Sequence, residues 1–289
     1  MPGLLARRRT SISAPPSTAA SAVTAKTLLP TIHVHEEEPM SDKSKSEGGI
    51  GETIRVIIEA LLIALVVRTF LFQPFNIPSG SLIPTLLVGD YLFVSKYSYG
   101  YSKHSFPYSA VPTNGRYFFV SEPKRGDIAV FKLPMDGQTD YIKRVIGLPG
   151  DRVQMIQGVL HINGSAVKRE LVGTYPGNDK FGRPAQVPRY RETLPGGGSH
   201  EIIELEGDTS YWDNTDVYHV PEGHYFMMGD NRDNSTDSRV LNQVGYVPFE
   251  NFVGRAEIIF FSIDENVRFW EVWNWPWAIR WSRMFRGIR

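Results

Sequence analysis

Phe75-Asn76-Ile77-Pro78-Ser79-Gly80-Ser81-Leu82-Ile83-Pro84-Thr85-Leu86-Leu87-Val88-Gly89-Asp90 is the stretch around which this chain is organised. Two prolines bracket a Ser-Gly-Ser turn, and apolar residues press in from both sides. Pro78 and Pro84 fix φ and remove backbone donors, while Gly80 permits an unusual backbone at the centre. The pattern predicts a rigid turn that holds one hydroxyl, Ser79 or Ser81, at a set position. A serine held in this way points to nucleophilic chemistry, which needs a partner to take its proton.

Upstream, residues 54–72 form an apolar segment interrupted by Arg55, Glu59 and Arg68. Its length suits one transmembrane helix, with the arginines near its ends and Glu59 as the awkward residue. A buried helix of a soluble protein is the competing reading; the abrupt stop at Pro74 and the Ser-Gly turn disfavours it. Lys43, Lys45 and Arg55 precede or open the segment, and after Arg68 no Lys or Arg occurs until Lys96. The positive-inside rule then predicts a cytoplasmic N-terminus and a serine turn on the far side of the bilayer. Residues 1–49 are rich in Ser, Ala, Thr, Pro and charge without apolar periodicity, and they read as disordered. The polar opening at Met40 makes that residue the expected native start.

Downstream the pattern becomes β. Residues 91–94, 128–131, 140–147, 153–157, 159–162, 223–228 and 256–263 read as strands between Gly/Pro turns, with one hairpin joined at Gly158 and ended by Asn163-Gly164. Without a long amphipathic helix after residue 75, this predicts a mainly β fold. The expected architecture is an antiparallel sheet or barrel as catalytic domain, with a smaller β insertion lobe and one N-terminal transmembrane helix. The expected segments are a disordered cytoplasmic terminus (1–52), the transmembrane helix (53–73), the core (74–167 and 222–268), the insertion lobe (168–221) and a tail (269–289). That tail sets Trp270, Trp273, Trp275, Trp277 and Trp281 beside Arg280, Arg283, Arg286 and Arg289, the composition of a membrane interface. Packing on its own barrel is the alternative.

Composition narrows the chemistry. The formal net charge is zero, which gives no ground for nucleic-acid binding. Absence of cysteine removes thiol catalysis, disulfides and Cys-based zinc sites together. The seven histidines, at 33, 35, 104, 161, 200, 219 and 224, show no metal-ligand spacing and read as surface or packed residues, so no metal or cofactor is expected. The acidic block 229–239 fails the calcium-loop spacing, because Ser235 stands where the sharp-turn Gly belongs and Leu241 where the bidentate Glu belongs. Ser121-Glu122-Pro123-Lys124 matches a Ser-x-x-Lys motif, but a Pro-containing loop is not the helix that motif requires.

Lys143 is the best candidate base. It lies mid-strand on the face of Tyr141 and Val145, where loss of water favours the neutral amine. Bringing a lysine from about 10.4 to near 7 costs roughly 4 to 5 kcal/mol, which only a dry site can supply. From the residues alone a second reading stays open: the lysine stem covers the sheet while its ammonium reaches water.

Five blocks, in order, carry a resemblance: Ile-Pro-Ser-Gly-Ser at 77–81 with the following Pro84 to Asp90 stretch, Arg125-Gly126-Asp127, Tyr141-Ile142-Lys143-Arg144, Gly147-Leu148-Pro149-Gly150-Asp151, and the 229–239 block. The chain resembles bacterial type I signal peptidase, the membrane-anchored Ser–Lys protease family that removes signal peptides. The resemblance implies Ser81 as nucleophile and Lys143 as general base. It implies an oxyanion hole from Ser79 and the Ser81 N–H, with Ser235 orienting the lysine. Arg144 with Asp230, and Asp237 with Arg239, correspond to ion pairs that brace the site. Ile77, Pro78, Leu82, Leu86, Tyr141 and Ile142 correspond to shallow pockets for small side chains at −1 and −3; Leu82 replaces the commoner Met, which touches fine specificity only. The implied partners are signal peptides of exported preproteins and a lipid bilayer. The implied setting is a monomer, single-pass in the bacterial inner membrane near the secretion translocon, with its catalytic domain on the periplasmic side.

Overall fold

The computed structural model describes residues 49–106, 115–179, 181–267 and 270–288. The expected disordered N-terminus, the Met40 start, His33, His35 and Arg289 lie outside the described residues, except for Gly49, which caps the first helix, and 50–52, which belong to it.

That helix, α1, runs Ile50–Phe70, with Thr69 its only buried residue. Its apolar side chains are exposed on all sides. Glu52, Arg55, Glu59 and Arg68 interrupt it, and no helix among the described residues is long and apolar enough to cross a membrane. The expected spanning segment is thus present as a helix without being a clean apolar span. Arg55 Nε and Glu59 Oε1 pair one turn apart at 2.8 Å.

The strands in chain order are β1 Phe72–Asn76, β2 Asp90–Ser95, β3 Ile128–Lys132, β4 Asp140–Gly147, β5 Arg152–Ile156, β6 Val159–Ile162, β7 Ser165–Ala166 and β8 Lys168–Asn178. They continue with β9 Pro184–Thr193, β10 Ser199–Ile203, β11 Tyr218–His219, β12 His224–Met228, β13 Val247–Pro248, β14 Phe252–Ser262 and β15 Arg286–Gly287. An eight-stranded sheet has the order β1-β2-β14-β3-β4-β12-β13, with β15 on β14. Two smaller sheets are β10-β9-β8 and β11-β5-β6-β7. Every named strand pair is antiparallel. The fold is mainly β, as the short alternating runs predict. It is an open sheet, not a barrel: β1 and β13 do not pair among the described residues.

β3 explains why the sheet holds. Its alternate residues Ile128 and Val130 enter one core cluster, while Ala129 and Phe131 enter the other, so both faces are buried. The first cluster also takes Ile77, Leu82 and Leu86 from the serine turn. Fully burying a leucine contributes about 2 kcal/mol, so Leu82 and Leu86 fasten the turn to the sheet more firmly than any one hydrogen bond. A third cluster lies beneath the β5–β7 sheet and includes Ile146, Leu160 and Phe226. The segment expected as an insertion lobe is tied to the core: Leu194 enters that third cluster, and Glu192 of β9 is fully buried.

After residue 75 the described residues contain one α-helix, α2 at Trp275–Ala278. The tail is divided in its allegiance. Trp270, Trp273, Trp277 and Trp281 are exposed. Arg283 instead donates to Asp90 and the Thr85 carbonyl, and Arg280 donates to the Val88 carbonyl. These two arginines, expected to face phosphates, spend their charge on the end of the serine turn.

Candidate active site

The turn that opens the site is a single 3₁₀ turn, Gly80–Leu82, preceded by Ser79 in an extended conformation. Gly80 does not use a left-handed φ, and a Cβ there would meet only the movable end of the Ile83 side chain, at 2.9 Å. β4 crosses beneath, and its register aligns Lys143 with Ala129 of β3. Ser81 is 7% exposed and Lys143 4%. The Lys143 Nζ lies 2.5 Å from Ser81 Oγ. The reading in which the ammonium reaches water is thereby excluded.

Burial lowers the Lys143 amine from 10.5 to about 8. Asp237 and Asp230 pull the other way, and Arg239 reinforces the lowering. Desolvation wins because both carboxylates are already matched. Arg144 donates Nε and Nη2 to the two oxygens of Asp230 at 2.8 and 2.7 Å, and Thr85 Oγ1 donates to Asp230 Oδ2 at 2.6 Å. Arg239 donates twice to Asp237 at 2.9 Å, and the Gly229 N–H adds a third bond at 3.0 Å. Such bidentate pairs hold fixed geometry while presenting little net charge to the amine.

The sequence of the 229–239 loop explains its closeness to the serine. The Asn231 N–H donates to the Ser81 carbonyl at 3.0 Å, and Asn231 Nδ2 to the Gly80 carbonyl at 3.1 Å. At Gly229 a Cβ would come within 2.5 Å of the Ser81 carbonyl oxygen and would also strike the Ser235 side chain, so only glycine fits.

The sequence model of the family described as signal peptidase, peptidase S26, matches residues 50–261. The chain belongs to this family. A signal peptidase I of Rickettsia typhi (strain ATCC VR-144 / Wilmington) is 39% identical over 264 residues, which is 86% of this chain and 97% of that protein. One of Rickettsia akari (strain Hartford) is 42% identical over 245 residues, 79% of this chain and 89% of that protein. A solved signal peptidase I from Enterococcus faecalis V583 is 28% identical, covers 47% of this chain and 97% of that chain, and has a TM-score of 0.29. The chain is therefore an endopeptidase, a hydrolase of the serine class.

The remaining expected site residues of this signal peptidase family member fall into two groups. Pro78, Ser79, Tyr141, Ile142 and Ser235 line, with Ser81 and Lys143, an open cleft of about 660 Å³. Ile77, Leu82 and Leu86 lie in the core, where they pack the turn onto the sheet. Ser235 Oγ is buried and has no hydrogen-bond partner; it sits in the cleft without bonding the amine. The Ser121–Lys124 decoy is irregular chain, not helix, with both Ser121 and Lys124 exposed.

Sequence reasoning missed a third buried ion pair. Arg232 donates to both oxygens of Glu192, at 2.7 and 2.5 Å. The Asp-rich block flags Arg232, but nothing in the loose segment flags Glu192. His200 lies between the pairs, its Nε2 at 3.6 Å from Glu192 and 3.9 Å from Asp230. Burial, with Arg144 next, pushes it down to about 4, so it stays neutral. Trp212 of a 3₁₀ turn also lines the cleft, contributed by a stretch with no motif.

Asp237→Ala should destabilise the peptidase by about 3 to 5 kcal/mol, because it strands a buried guanidinium and the Gly229 N–H. The denaturation midpoint reads this directly; an unchanged midpoint would show that Arg239 finds another partner.

Proposed function

We propose that this peptidase removes N-terminal signal peptides from exported preproteins with Ser81 as nucleophile and neutral Lys143 as general base. The observation that carries the reading is the buried amine 2.5 Å from the Ser81 hydroxyl. A neutral amine at that distance accepts the hydroxyl proton as Oγ attacks the scissile carbonyl. The tetrahedral oxyanion takes hydrogen bonds from the Ser81 N–H and the Ser79 hydroxyl, the latter on the cleft wall. The lysinium then protonates the departing amine as the C–N bond breaks, and water, deprotonated by the restored amine, releases the acyl group. Asp230–Arg144 and Asp237–Arg239 brace the site. Ser235 turns toward the amine once substrate fills the cleft, which gives its unpartnered hydroxyl a bond.

Shallow apolar walls at Pro78, Tyr141 and Ile142, with Ile77, Leu82 and Leu86 behind them, favour small residues at −1 and −3. The exposed apolar surface of α1 attaches the domain to a bilayer, with the Arg55–Glu59 pair lessening the cost of two charges in apolar surroundings. The positive flank before it orients the catalytic domain to the outer side. The four exposed tail tryptophans suit the headgroup region.

The test is incubation of the full chain in detergent micelles with a preprotein bearing an Ala-x-Ala site, with product masses read directly. One cut after the second Ala is expected. Absence of that product, or its formation by Ser81→Ala, would end the assignment.

A further inference from the structure

Beside the cleft, three acidic side chains from separate segments converge. Glu204 follows β10, Asp213 closes the 3₁₀ turn Tyr211–Asp213, and Asp233 belongs to the 229–239 loop. One carboxylate oxygen from each lies within 4.8 Å of the others. Clusters of this kind are common where an arginine hydrogen-bonds them, but here Arg169 reaches Glu204 only at 3.7 Å.

Glu204 is fully buried, and neither of its carboxylate oxygens accepts a hydrogen bond. The buried Oδ1 of Asp233 is also without a donor. The nearby cations are committed elsewhere. Arg232 is bound to both oxygens of Glu192. Arg169 approaches Glu204 Oε1 only to 3.7 Å, while its two terminal nitrogens donate to the Gly158 carbonyl and to Asp208 at 2.9 Å. The outer oxygens are held in place by backbone: Asp233 Oδ2 accepts from the Glu206 N–H at 2.8 Å, and Asp213 Oδ2 from the Ser210 N–H at 2.5 Å. A buried carboxylate without a hydrogen bond costs several kcal/mol, more than this loop gains from any single hydrogen bond.

We propose that Glu204, Asp213 and Asp233 hold a divalent hard cation of the Ca²⁺ or Mg²⁺ class, which pins the 229–239 loop to the segment after β10. An all-carboxylate donor set selects such ions over zinc or copper, which favour His and Cys. The site lies outside the Ser81–Lys143 pair, and its role is positional. The ion neutralises the cluster and fixes Asp233, two residues from Ser235, together with Trp212 beside Asp213. Both Ser235 and Trp212 line the cleft. Sequence spacing hides the site because its ligands come from three distant segments and not from one loop.

The proposal is tested on the full chain in detergent, by thermal denaturation in CaCl₂, MgCl₂ or EDTA at matched ionic strength. Saturation with Ca²⁺ or Mg²⁺ should raise Tm by roughly 5 °C or more. In Glu204→Gln most of that rise should vanish. A local readout guards against a variant that fails to fold: Tb³⁺ bound at the site should show emission sensitised by Trp212, lost in Trp212→Phe while the Ca²⁺-dependent Tm rise persists. Identical wild-type Tm values in all three conditions would overturn the proposal, as would a full rise retained in folded Glu204→Gln. None of these readouts depends on peptide cleavage.

Discussion

Ser81→Ala is expected to abolish preprotein cleavage, with kcat/KM falling by about 10⁴-fold or more, the scale seen when a hydrolase loses its nucleophile. The side chain is buried and its oxygen receives the Lys143 amine, so no neighbouring hydroxyl occupies the same position. Ser79 lies two residues away on the exposed wall and cannot substitute without unwinding the 3₁₀ turn that Leu82 and Leu86 anchor. The stability cost should be small, about 1 kcal/mol for one lost hydrogen bond, or a few degrees in Tm. Substantial residual cleavage by the folded variant, read by product mass, would remove Ser81 from the reaction.

Lys143→Arg should be equally inactive although it keeps the charge. A guanidinium stays protonated at every working pH and cannot accept the Ser81 proton. Lys143→Met separates chemistry from stability more sharply, since it keeps the apolar stem and deletes the amine. Moving an amine from 10.5 to about 8 corresponds to roughly 3 kcal/mol against the charged form in the folded state. The direction follows from linkage: the unfolded chain holds the proton more tightly, so the penalty is fully present below about pH 8 and fades toward pH 10.5. Lys143→Met should therefore be inactive yet at least as stable as the parent at pH 7, by up to about 3 kcal/mol before repacking losses. That advantage should shrink as pH rises toward 10. A Met variant much less stable than the parent at pH 7 would mean that the amine is solvated or ion-paired.

How much of this was legible in the residues varies with the physics involved. Alternation along 128–131 and the turn signals gave the strands, because a strand buried on one or both faces writes its environment into a period of two. The open sheet was not legible: closure depends on whether edge strands meet, and no local pattern encodes that. The short-range features of 77–90 point to a fixed serine, but not to the burial of Ile77, Leu82 and Leu86 that anchors it. Apolar residues beside a cleft and apolar residues beneath it look the same in sequence. The Arg144–Asp230 and Arg239–Asp237 geometry matches residues flagged by the resemblance, whereas Glu192, Trp212, Glu204 and Asp213 come from the 168–221 segment and meet Arg232 and Asp233 of the acidic block only in space. Their partners are far apart in the chain, and a lone acid or tryptophan in a variable segment carries no period or spacing. The composition of the tail points its arginines to phosphate; Asp90, nearly two hundred residues upstream, takes Arg283 instead, in a partly buried pair.

The central claim is that a dry lysine, acting in its neutral form, drives the chemistry. The pH dependence of kcat/KM for preprotein cleavage tests it most directly. With the amine at about 8, the rate should climb roughly tenfold per pH unit below that value and level off above it. The same limb should appear for different preproteins, since it belongs to the free enzyme. A limb near 10.5, the value of a solvated lysine, or a rate flat from pH 6 to pH 9, would contradict the account.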